Sequence, residues 1–168
     1  MYSLSSAPKQ IQLWISTRKT NPILSDPEYP LDQKTINEIK ELSGFTISKS
    51  DQIYFPKVLK KFSPYTEKLF RGIFKSDILY LELQKSNIVV TKRYYSFSKN
   101  LFVAKEFGDK IVFSLVIKNN FDISKYSREG EVILDKGVQL KKVSQIDNYQ
   151  NQGFILIQLE QVFDVNPK

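Results

Sequence analysis

The chain has 168 residues, 41% of them hydrophobic and 26% charged, long enough to bury one sizeable core and too short for two full domains. It contains no cysteine and no histidine, which excludes disulfides, thiolate or Ser-His nucleophiles and metal sites built on imidazole or thiolate; any catalysis must draw on carboxylates, hydroxyls, Lys, Arg and Tyr. The formal charge of +7 favours anionic partners such as nucleotides, nucleic acid or acidic surfaces, yet the basic residues are spread along the chain, with no block dense enough to track a phosphate backbone.

From the N-terminus, MYSLSSAPKQ lacks the basic start and apolar stretch of a secretory leader, and no apolar run approaches the roughly 20 residues that cross a bilayer. No membrane association is expected, and the cytoplasm of a bacterial or host cell is the expected setting. Up to residue 65 the signals are helical. Asp32 is placed to cap a helix whose Ile36, Ile39 and Leu42 share a face and which Gly44 stops; a second, shorter helix includes Val58, Leu59 and Phe62.

The texture changes near Ser63-Pro64. Beyond it, β-branched and aromatic runs predict strands over 69–74, 88–91, 111–117, 131–134, 138–143 and 154–163. One helical interruption is predicted over 100–107, where Leu101, Ala104 and Phe107 follow the cap-like Ser98-Lys99-Asn100 and Gly108 closes the helix. The expected class is α+β: a single domain, 1–168, with a small N-terminal helical lobe over 1–65 and a mainly β core over 66–168.

Three short motifs stand out in the β half. Arg71 lies in an otherwise apolar strand with Leu69, Phe70, Ile73 and Phe74, where an unpaired charge is unfavourable, so it needs an anionic partner; a surface carboxylate beside an edge strand is one candidate. Ser96 and Ser98 flank Phe97. Glu129 and Glu131 are two apart, so an extended backbone would place both carboxylates on one face, with Gly130 allowing a tight turn between them. Taken alone, Glu-Gly-Glu also suits a solvated loop tip.

In this order, Leu69-Phe70-Arg71-Gly72, Tyr95-Ser96-Phe97-Ser98 and Glu129-Gly130-Glu131-Val132-Ile133-Leu134 resemble the arginine, serine-x-serine and glutamate-x-glutamate signature of the toxin-like mono-ADP-ribosyltransferases. That family includes bacterial toxins, vertebrate ectoenzymes and bacteriophage enzymes. Phe121 to Ser127 resembles its segment leading into the catalytic turn, and Ala104 with Phe107 matches the helix that follows its serines. The resemblance spans 69–159. Phe97 departs from the small residue that many relatives carry between the two serines.

The resemblance implies the ADP-ribosyltransferase fold with a mainly antiparallel two-sheet core, NAD as substrate and no metal. It assigns Glu131 to the cationic ribose, Glu129 to orienting and deprotonating the acceptor, and Ser96 to fixing the Glu131 rotamer. Arg71 would meet the NAD pyrophosphate, Gly72 would admit the nicotinamide amide, and Ser98 would support the loop that covers nicotinamide. Phe102 or Phe107 would stack on the nicotinamide ring, a core role being equally open for each. Glutamate at position 129 is associated in the family with arginine acceptors. A protein acceptor is therefore expected, with nucleic acid, water (an NAD glycohydrolase) or a non-catalytic nucleic-acid-binding module as alternatives. A monomer is expected, and a delivered toxin or effector is a further possibility of the same resemblance.

The chemistry suits these residue types. Cleaving the bond between nicotinamide and ribose produces an oxocarbenium-like centre, which a carboxylate stabilises. Nicotinamide leaves as a neutral molecule, so no general acid is required, and a chain without histidine has what the reaction needs.

Overall fold

The structure, a computed structural model, describes residues 6–16, 56–127 and 129–163. The helix expected after Asp32 lies outside the described residues. The elements are α1 (Lys9–Ser16), a helical turn at 56–59, β1 (Leu69–Ile73), α2 (Ile78–Lys85), β2 (Ile88–Val90), β3 (Tyr95–Ser98), α3 (Leu101–Ala104), β4 (Ile111–Leu115) and β5 (Asn120–Asp122). A short 3-10 turn, Ser124–Tyr126, leads to β6 (Glu131–Leu134), β7 (Gln139–Ile146) and β8 (Ile155–Val162). No described helix is long and apolar enough to cross a membrane.

The strands hydrogen-bond in the order β2-β7-β8-β4-β1-β3-β6-β5. Every pairing is antiparallel except β4 with β8. The two sheets expected from the resemblance are thus joined into one eight-stranded ladder. The join is narrow: β1 meets β3 through the single pair Phe70↔Ser98, whereas it runs in register with β4 along its whole length.

Alternation of side chains divides the middle of this sheet into two faces. On one, Leu69, Ile73, Tyr95, Phe97, Val132 and Leu134 join Phe113 and the buried Leu79 and Leu83 of α2 in the main core. On the other, Phe70 packs with Ala104 of α3, and Ile133 packs with Ile11 and Trp14 of α1 and with Val58 and Leu59. Phe97 is completely buried in the main core, so a large apolar residue between the two serines fills space on the face opposite theirs.

More than one helix interrupts the β half. α2 was not expected; Asp77 caps it by accepting the Leu79 N–H on Oδ1, and Leu79 and Leu83 bury one narrow stripe. The predicted helix over 100–107 is present as the shorter α3, with Asn100 as its cap and Gly108 at φ +83 beyond it.

Candidate active site

The serines and Glu131 are brought together by β3 and β6, which pair antiparallel with Ser98 opposite Glu131. Tyr95 and Phe97 turn into the core, so Ser96 and Ser98 turn the other way. Ser96 Oγ donates to Glu131 Oε2 at 2.7 Å. A second donor reaches the same oxygen from α1: the Trp14 indole N–H, at 2.5 Å. Glu131 is 2% exposed, and Ser96 and Trp14 are fully buried.

Ser98 works on backbone. Its Oγ donates to the Glu129 carbonyl at 2.5 Å and accepts the Asn100 N–H at 3.0 Å, tying the turn before β6 to the start of α3. Lys99 N–H adds a bond to the Gly130 carbonyl at 3.0 Å. Gly130 has φ +65, a left-handed conformation that a side chain would strain. The backbone through Glu129-Gly130-Glu131 is therefore not extended, and the expected placement of both carboxylates by strand alternation does not apply. Glu129, half-buried, has its own partner: its Oε2 accepts from Ser127 Oγ at 3.1 Å.

Beside this turn, Lys99 Nζ pairs with Asp122 Oδ2 at 2.8 Å. Burial pushes the Asp122 carboxyl up, but hydrogen bonds from Lys99 and from the side chain and backbone of Ser124, together with the Lys99 charge, outweigh it and hold the group below its ordinary 3.8.

Arg71 approaches from the other face. Its guanidinium, 5% exposed, donates from Nη1 to the Ser96 carbonyl at 3.0 Å and from Nη2 to Asp77 Oδ2 at 2.9 Å, with the Tyr95 ring centroid 5.1 Å from Cζ. The anionic partner that the sequence demanded is here a carboxylate, buried beside a central strand and not on a surface edge. Arg71 and Glu131 thus meet at one residue, Ser96, through its carbonyl and its hydroxyl respectively.

At Gly72 the close approach is made by the protein itself: a Cβ there would lie 2.0 Å from the Ala104 carbonyl and 2.5 Å from that of Phe107. Phe102 is 63% exposed on α3, its ring 4.6 Å from Lys105 Nζ, and Phe107 is half-buried. A concavity of about 400 Å³ bordered by Phe62, Asp122, Lys125 and Tyr126 flanks the segment leading to Glu129. A larger one of about 780 Å³, lined by Leu115, Val143, Leu159 and Phe163 among others, borders neither Ser96 nor Glu131.

No protein-family profile matches the chain, and neither does any curated protein. Solved structures do. The ADP-ribosyltransferase Vis, crystallised with agmatine, superposes with a TM-score of 0.59 at 18% identity, covering 99% of this chain and 80% of Vis. HopU1 of Pseudomonas syringae pv. Tomato, also an ADP-ribosyltransferase, gives 0.56 at 16% identity over 92% of this chain and 76% of its own. Exoenzyme S from Pseudomonas aeruginosa, solved with human 14-3-3 protein beta and carba-NAD, gives 0.54 at 14% identity over 98% and 88%.

The fold is that of the bacterial ADP-ribosyltransferases. Within this ADP-ribosyltransferase fold the Ser96–Glu131 contact expected from the motifs is formed. Two neighbours of the expected residues, Trp14 and Asp77, are not indicated by the motifs, whereas Ser127, the partner of Glu129, ends the segment 121–127 that resembles the family's. Asp77 carried a signal, as an Asp just ahead of an apolar run at 78–83; nothing in sequence links Trp14 to a glutamate 117 positions away.

Proposed function

We propose that this protein is an NAD-dependent mono-ADP-ribosyltransferase of the arginine, serine-x-serine, glutamate-x-glutamate class, with protein arginine as acceptor. The observation that carries the reading is a buried carboxylate, Glu131, oriented by the Ser96 hydroxyl at 2.7 Å within a fold shared with ADP-ribosyltransferases. The bond that breaks joins ribose C1′ to the nicotinamide nitrogen, and its electron pair leaves with neutral nicotinamide. Glu131 stabilises the positive charge left on the ribose. The acceptor then attacks C1′ and gives up a proton to Glu129, which Ser127 holds at the turn.

Ser98 acts through the turn, keeping Glu129 and Glu131 in place. Arg71 acts through β3, holding the Ser96 backbone. Phe102, the exposed aromatic of α3, is the first candidate for the nicotinamide ring, and the half-buried Phe107 is the alternative. An arginine acceptor agrees with glutamate at 129 and with the guanidino compound bound to Vis. Action inside a bacterial or host cell, as a resident or delivered protein, completes the reading.

Incubation with labelled NAD and cell lysate tests it. The expected result is nicotinamide release with label on protein that neutral hydroxylamine removes. Label in nuclease-sensitive material would move the acceptor to nucleic acid, and release without label would make water the acceptor. Glu129→Gln should reduce transfer more than NAD hydrolysis; equal loss of both would remove the separate role given to Glu129.

A further inference from the structure

Trp14 is the chain's only tryptophan and lies far outside the motif-bearing segment. Its ring is completely buried, in a cluster with Ile11, Val58, Leu59, Ile123 and Ile133. A buried indole needs an acceptor for its N–H, and any nearby carbonyl would meet that need. Here the acceptor is Glu131 Oε2, at 2.5 Å, the same oxygen that Ser96 Oγ holds at 2.7 Å.

We propose that Trp14 is a positioning residue for Glu131, which makes α1 a working part of the catalytic apparatus; the inference rests on Glu131 being the acid that faces the ribose. A carboxylate held by one donor can pivot about that bond. A second donor on a different element narrows that freedom: the serine comes from within the sheet and the indole from the helix packed over it. The indole N–H can only donate, so the bond is strongest when the acid is ionised, the form that stabilises a cationic ribose. The ring transmits this constraint because close packing fixes both of its side-chain torsions. Being fully buried, Trp14 is no substrate contact; it acts on turnover by preorganising the acid.

Two measurements test the idea. A single tryptophan gives a single indole N–H resonance, so the ¹⁵N–¹H spectrum of the whole protein reads the contact directly. It should be displaced downfield in the wild type and move upfield in Glu131→Gln. A resonance at the position of an unbonded indole, or one indifferent to Glu131→Gln, overturns the proposal whether or not the protein cleaves NAD.

The second measurement is steady-state NAD cleavage by Trp14→Phe, which keeps an aromatic ring and loses the donor. Its kcat should fall about tenfold, the equivalent of one charge-assisted hydrogen bond, with KM for NAD unchanged. Ile11→Ala, a cavity in the same cluster, should keep kcat in its folded fraction; a fall matching that of Trp14→Phe would mean that packing alone matters and would overturn the proposal, as would an unchanged kcat in Trp14→Phe. Should Trp14→Phe not fold, the resonance decides alone. Absence of NAD cleavage in the wild type, with the resonance displaced, overturns the functional reading and the catalytic part of this one, and leaves the contact standing.

Discussion

Two buried ionisable side chains sit on opposite faces of β3, and they are held in different ways. Arg71 is bonded to a group of opposite charge, Asp77, and to the Ser96 carbonyl. Glu131 is bonded to two uncharged donors, Ser96 Oγ and the Trp14 indole. An ion pair buried this deeply resists change in either member, because removing one charge strands the other. Uncharged donors fix the direction of a carboxylate, which suits a group proposed to meet a cation that arises in the substrate. The first arrangement suits a structural joint, and the second suits the reacting role proposed for Glu131.

The contrast can be broken at several points. The largest effect should come from Glu131→Gln, which keeps the shape and removes the charge: NAD cleavage should fall about a hundredfold or more, read as nicotinamide release, with the melting temperature little changed. Asp77→Asn should do the reverse. It removes the charge paired with the Arg71 guanidinium where both side chains are at most 7% exposed, and should destabilise the fold by about 3–5 kcal/mol in denaturant titration. Activity per folded molecule should survive better than in Glu131→Gln, and a larger loss there would erase the distinction between joint and reacting group.

The smallest effect concerns the half-buried Lys99–Asp122 pair. Because the Asp122 carboxyl is held below its ordinary 3.8, its contribution is present above that pH and is lost as the pH falls through the lower folded value. Lys99→Met should reduce stability by no more than about 1 kcal/mol at neutral pH and flatten that acid dependence, as thermal melts across the acid range would show.

Much of the β half was legible because its strands are β-branched or aromatic runs bounded by turn residues; the strand at Glu131–Leu134 was placed to the residue, and β1, β4 and β8 to within two. α2 was not legible. Its Ile78, Leu79, Leu81 and Leu83 fall between helical and alternating spacing, and only Leu79 and Leu83 are buried, so periodicity carried little. At the site, the serine and glutamate motifs led to a real contact, whereas the alternation argument for Glu129 and Glu131 failed on the backbone of Gly130. Arg71 pairs with a carboxylate, Asp77, but from a central strand and not from an edge. Tertiary partners such as Trp14 leave no local trace, since proximity across 117 positions is decided by packing and not by spacing.

The lone Phe70↔Ser98 pair between β1 and β3 gives the eight-stranded ladder a seam. The Arg71 guanidinium, anchored in β1 and grasping the Ser96 carbonyl in β3, is the rivet that crosses it. Where the backbone ladder is thinnest, a side chain thus ties the strand that carries Ser96 to the rest of the sheet.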